Sequence, residues 1–185
     1  MNNSYFMLHI RIAFKKHYTF NLIMANYITL FRLFLTFPVV YLILNQHNVL
    51  TLISIVIGAL SDWLDGDIAR RKKEVSKLGI LLDPFVDKVF VLSCFSAYLY
   101  LQKVSPYAFV LLLIRELYIS FLRSLSVERG YSMPASYLGK AKTVIEFLTL
   151  VFLALASPLS ELSLWLAVFL AYVSALDYTS KFLRL

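Results

Sequence analysis

The chain has 185 residues, 60% of them hydrophobic and 16% charged, with a net charge of +7 and a mean hydropathy of +0.74. That apolar share is well above a soluble globular domain's and makes this a membrane protein. The positive charge is spread over membrane-flanking loops instead of a compact stripe, which argues against nucleic acid and suits anionic lipid headgroups.

Residues 1–23 mix Phe6, Leu8, Ile10, Ile12 and Phe14 with Arg11, Lys15 and Lys16. This predicts an interfacial segment; it has neither the continuous apolar core nor the small-residue cleavage site of a secretory signal. Met24 then opens the main domain, 24–185, so the first 23 residues read as an extension or as an upstream start codon. Apolar stretches begin near Tyr27, Val49, Gly79, Tyr107, Thr143 and Leu162, each with enough chain to approach the ~20 residues that span a bilayer. The expected fold is an all-α integral membrane protein with six transmembrane helices. Val49 to Leu60 is short on its own, and its helix is expected to continue through Asp62 and Asp65. Asp87 lies sixteen steps before Lys103, or ~24 Å of helix, just inside one edge of a ~30 Å core. Of the eighteen lysines and arginines, all but Lys103 fall on, or within a helix opening toward, the face carrying Arg70 to Lys77. The positive-inside rule makes that face cytoplasmic, with both termini. Cys94 has no intrachain disulfide partner and reads as a packing residue, and His9, His17 and His47 lie apart with no assigned chemistry.

The densest chemistry is between Ser61 and Lys88. Asp62 and Asp65 are three apart and Asp83 and Asp87 four apart, so each pair shares one helix face. Carboxylates beside hydrocarbon are costly and mark an ion or substrate site. Two such helices together make an all-oxygen cup suited to two hard divalent cations, Mg2+ or Mn2+. Gly66 and Gly79 allow close backbone approach, Ala69 leaves room and Arg70 can bond a phosphate. The alternative for any one acid is a pairing with Arg70, Arg71, Lys72 or Lys73, and all four in register argue against it.

Asp62, Asp65, Gly66, Ala69, Arg70, Gly79, Asp83 and Asp87 match D-x-x-D-G-x-x-A-R, eight residues, G-x-x-x-D-x-x-x-D without departure. The chain therefore resembles the CDP-alcohol phosphatidyltransferase family, and Asn26 to Arg32 is similar to the usual start of its members. The resemblance implies a CDP-linked lipid donor, attack of an alcohol on the lipid-side phosphorus, and release of CMP. It implies that Asp62, Asp65 and Asp83 are metal ligands and that Asp87 is both a ligand and the base. Gly66, Arg70, Ser76 and Asn26 would contact the cytidine diphosphate. Asp87 could instead be a ligand only, or be neutralised by Lys88. Thr29 and Arg32 follow on a similar face; direct support of the pocket and helix packing, with Arg32 snorkelling to the headgroups, stay open.

Downstream, Ile114-Arg115-Glu116, Leu122-Arg123 and Gly139-Lys140-Ala141-Lys142-Thr143 resemble bacterial members whose acceptor is glycerol 3-phosphate. Arg115, Lys140 and Lys142 are then expected to bracket its phosphate, although each alone could be a packing or headgroup residue. Other family members, cardiolipin synthases or inositol-phosphate acceptors, are the first alternative. A divalent-cation transporter, from another class, needs carboxylates near the midplane open to both faces. The resemblance places CDP-diacylglycerol as donor in a bacterial cell membrane, and the one-sided basic residues put the site on the cytoplasmic face. Members commonly form homodimers, which the sequence attaches to no particular surface.

Overall fold

A computed structural model describes residues 27, 30–72, 77–131, 133–134 and 136–184, with side chains in all of these except 62–72 and 77–84. The interfacial segment expected over 1–23 lies outside the described residues. Among those described, six helices and no strand are found: α1 Leu30–Leu44, α2 Asn48–Lys72, α3 Lys77–Tyr100, α4 Pro106–Glu128, α5 Tyr137–Ala154 and α6 Leu159–Phe182.

Local sequence explains the boundaries. Pro106 stands in the first turn of α4, where its missing N–H costs nothing, after an extended Ser105. The fifth helix opens at Tyr137, ahead of the expected Gly139–Thr143, because the Ser136 hydroxyl accepts the Gly139 N–H at 3.0 Å and caps it. α1, α3, α4 and α5 end alike, on a left-handed residue: Gln46, Gln102, Gly130 and Ala156. After α1, His47 N–H donates to the Leu42 carbonyl at 3.0 Å and Gln46 N–H to that of Ile43 at 2.9 Å, satisfying carbonyls that the helix leaves open.

α5 and α6 pack most extensively, α4 lies on α6, α2 on α5, and α3 against both α4 and α5. The core gathers Val39 and Ile43 from α1, Ile55 from α2, Phe90 and Cys94 from α3, Leu112 from α4 and Leu150 from α5. Cys94 is fully buried, the packing role expected of it. Gly58 sets how closely α2 meets α3: a Cβ there would lie 2.6 Å from the Phe90 ring.

The molecule is inverted relative to a soluble protein. Phe34, Phe37, Phe121, Phe169 and Leu176 are exposed, whereas Arg32, Arg115, Glu116, Lys142 and Glu146 are buried. So much exposed apolar surface is what a lipid-facing exterior requires. By length and composition alone, α6 is the one helix among the described residues that could cross a membrane, and Leu30–Leu44 and Asn48–Ser61 are apolar but shorter. Six spans therefore do not follow from these criteria. The physical reason is that α3, α4 and α5 carry ionisable groups inside their lengths: Asp87 and Lys88, Arg115 and Glu116, Lys142 and Glu146.

Candidate active site

α2 runs unbroken through Asp62 and Asp65 to Lys72, and α3 contains both Asp83 and Asp87. Helical backbone at these positions puts each pair, at spacings of three and four, along one face of its helix. The side chains of Asp62, Asp65, Gly66, Ala69, Arg70, Gly79 and Asp83 lie outside those described, and Asn26, Thr29 and Ser76 lie outside the described residues altogether.

Asp87 is half-buried and makes an ion pair with the Nη1 of Arg32. Arg32 is 1% exposed, and its Nε donates to the Ser61 hydroxyl at 3.1 Å. Ser61 in turn donates to the Gly58 carbonyl at 2.7 Å, and the Thr36 hydroxyl donates to the Arg32 carbonyl at 3.0 Å. One guanidinium thus joins α1, the residue before Asp62 on α2, and Asp87 on α3. Arg32 does not snorkel: its head points inward because a carboxylate and a hydroxyl wait there and hydrocarbon offers no partner.

A second polar cluster is centred on Glu116. Its Oε1 accepts from Arg115 Nη1 at 2.5 Å and from Lys142 Nζ at 2.6 Å, and its Oε2 lies 3.8 Å from Lys88 Nζ. Lys142 also pairs with Glu146 at 2.6 Å, one helix turn away. Arg115 donates from Nε to the Ala171 carbonyl at 3.0 Å and from Nη2 to the Ser174 hydroxyl at 2.5 Å, fastening α4 to α6. Lys88 bonds the Ser120 hydroxyl and, at 3.4 Å, the Glu116 carbonyl. Three cations surround two carboxylates, so the cluster keeps a formal surplus of one positive charge, and it begins one residue after Asp87.

Of the three expected phosphate ligands, the structure brings Arg115 and Lys142 together but engages both with carboxylates. Lys140 is elsewhere: it is exposed, with its Nζ 5.7 Å from the Tyr137 ring centroid. Two positions apart on a helix face nearly opposite ways, so Lys140 and Lys142 do not converge.

Two cations, Arg123 beside this cluster and Lys88 within it, carry roles that the motif spacing did not single out. Arg123 donates from Nη2 to the Tyr178 hydroxyl at 2.9 Å and stacks on that ring, while its buried Nε has no hydrogen-bond partner among the described residues. The same hydroxyl accepts the Ser136 N–H at 2.8 Å, which ties the start of α5 to α6. Lys88 was visible only as a possible neutraliser of Asp87; it turns to α4 instead.

A sequence model of the CDP-alcohol phosphatidyltransferase family matches residues 22–173. A Bacillus subtilis protein named CDP-diacylglycerol--glycerol-3-phosphate 3-phosphatidyltransferase is 30% identical over 134 residues, covering 68% of this chain and 69% of its own. A Rickettsia typhi protein of the same name is 30% identical over 168 residues, covering 84% of this chain and 94% of its own. A Mycobacterium tuberculosis protein, named provisionally as a cardiolipin synthase, is 37% identical over 125 residues, or 66% of this chain and 59% of its own. With the aspartates of α2 and α3 inside the matched region, the chain belongs to the CDP-alcohol phosphatidyltransferase family.

Proposed function

We propose that the protein transfers the phosphatidyl group of CDP-diacylglycerol to glycerol 3-phosphate, giving phosphatidylglycerophosphate and CMP. The observation that carries this reading is the similarity, along 84% of the chain, to a relative named for that reaction. The acceptor's hydroxyl oxygen bonds to the lipid-side phosphorus as the bond from that phosphorus to the CMP oxygen breaks. Asp87 takes the hydroxyl proton, and Arg32, through its ion pair with Asp87, acts as a positioning residue.

Asp62, Asp65, Asp83 and Asp87 would hold two divalent ions, Mg2+ or Mn2+, because an all-oxygen donor set suits hard cations. Those ions would supply charge stabilisation on the diphosphate. Gly66, Ala69, Arg70, Ser76, Gly79 and Asn26 would form the cytidine diphosphate pocket, with Thr29 supporting it. For the acceptor's phosphate, the formal surplus of positive charge around Arg115, Lys142 and Lys88, with Arg123 beside them, supports an anionic group. Lys140 would act at most at the entrance, since it faces outward.

We further read all six helices as spans, with the site opening to the cytoplasm. Support comes from the apolar exterior, the buried charges and the one-sided distribution of basic residues. Carboxylates near one face do not suit a transporter, which needs access from both sides.

Arg32→Lys keeps the charge but loses the fork that reaches Asp87 and Ser61 together. Loss of a charged hydrogen bond worth about 1.5–3 kcal/mol should lower kcat roughly tenfold or more. Turnover at saturating substrates, measured across pH, checks this: a role through Asp87 moves the pH profile as well as the rate. The acceptor is tested by CMP release from labelled CDP-diacylglycerol with glycerol 3-phosphate, phosphatidylglycerol, inositol phosphate or serine. Glycerol 3-phosphate is expected to be fastest. Faster release with phosphatidylglycerol would favour the cardiolipin synthase reading that the mycobacterial relative raises.

A further inference from the structure

Between α1 and α3 runs a groove of about 950 Å³. Leu33, Phe37 and Leu44 line one wall and Val89, Ser96 and Tyr100 the other. It begins beside Asp87: Leu33 follows Arg32 and Val89 lies two residues past Asp87, the two partners of one ion pair. From there each wall extends eleven residues, or ~16 Å of helix. That is about half of a ~30 Å hydrocarbon core, the depth of one leaflet. Phe37, Leu44 and Tyr100 are exposed, so the groove opens sideways toward the lipid-facing surface.

We propose that this groove holds an acyl chain of the lipid donor and that residues along it, Ser96 above all, determine which chain lengths are accepted. The proposal rests on the phosphatidyl-transfer reading above. A donor anchored in the bilayer must present its phosphorus to Asp87 while its tails stay in hydrocarbon, and the groove is an apolar path starting at that aspartate. Its volume falls in the range of small-molecule sites. A second helix is a poorer occupant, because a helix ~10 Å across and ~16 Å long needs more than ~1,200 Å³. Ser96 lies seven steps, or ~10 Å, beyond Val89, and is exposed, so a larger side chain there fills the groove without entering the core.

The experiment uses the purified full chain in lipid nanodiscs, with dioctanoyl and dipalmitoyl CDP-diacylglycerol as donors and Ser96→Phe and Ser96→Ala as variants. Ser96→Phe is expected to lower kcat/KM for the dipalmitoyl donor about tenfold or more, since a displaced tail misplaces the phosphorus, with the dioctanoyl donor little changed. Ser96→Ala should match the unmodified protein with both. A dipalmitoyl-type donor carrying a diazirine near the chain end should crosslink in the region of Leu44 and Tyr100. An equal loss with both donors, no loss with either, or crosslinks confined to other helices overturns the proposal. So does a crosslink from a benzophenone at position 96 to residues 1–23 or to a second copy, since either would then be the occupant. If the unmodified protein releases no CMP with any alcohol, the transfer reading itself fails; a selective change in an active enzyme bears on the groove alone.

Discussion

Asp87→Asn is expected to lower kcat by about 10²–10⁴-fold at saturating donor, acceptor and divalent metal, the usual worth of a general base. An amide at this position can still meet Arg32, so the packing of α1 on α3 survives; in the proposed reaction, what it loses is the capacity to accept the acceptor's proton. The donor's KM should change far less. Asp62→Asn, Asp65→Asn and Asp83→Asn, in contrast, should raise the requirement for metal and the donor's KM first. Steady-state CMP release over a matrix of metal and donor concentrations separates the two patterns. Near-native turnover of Asp87→Asn at saturation would remove it from the role of base.

Glu116→Ala should be the most destabilising single change in the described part of the protein. Its carboxylate is 4% exposed and holds Arg115, Lys142 and Lys88 at once, so truncation leaves three cations around Glu146 alone. Breaking a buried pair in this way costs about 3–5 kcal/mol, because the charges left behind have lost their counter-charge and cannot reach water. The expected result is a large fall in the thermal midpoint of the purified protein in detergent, or failure to accumulate in the membrane. Adding Lys88→Met to Glu116→Ala removes a stranded charge that no other carboxylate of the cluster holds and should recover part of the loss. A double variant no more stable than the single one would show that the cluster does not act as a unit.

The motif on α2 and α3 was legible in the sequence because its meaning is local: spacings of three and four fix a shared helix face whatever surrounds them. The continuation of α2 through Asp62 and Asp65 was legible for the same reason, as was the burial of Cys94 in a long apolar run. Partners far apart in the chain were not. Arg32 and Asp87 are 55 residues apart, and Arg115 and Ser174 are 59 apart; no periodicity encodes such pairs. Hence Arg32 had two readings until Ser61 and Asp87 were seen beside it. Lys140 and Lys142 show a related failure: as a basic tract they look like one binding element, but once the helix starts at Tyr137 they diverge. The early start itself was hidden because Ser136 signals a cap only when its hydroxyl is known to reach Gly139.

The inversion of polarity bears on how the chain enters the bilayer. α6 has the hydropathy to partition by itself, whereas α4 brings Arg115 and Glu116 and α5 brings Lys142 and Glu146. At about 2.5–3.5 kcal/mol for each ionised residue near a helix centre, neither would settle in hydrocarbon alone. Part of that cost is offset between them, where Glu116 of α4 receives Lys142 of α5. In the six-span reading, α4 and α5 share a packing partner only once α6 arrives, bringing Ser174 and the Ala171 carbonyl to Arg115. In that reading, the cluster with its surplus of positive charge makes α6 the helix on which α4 and α5 depend for settling in the bilayer.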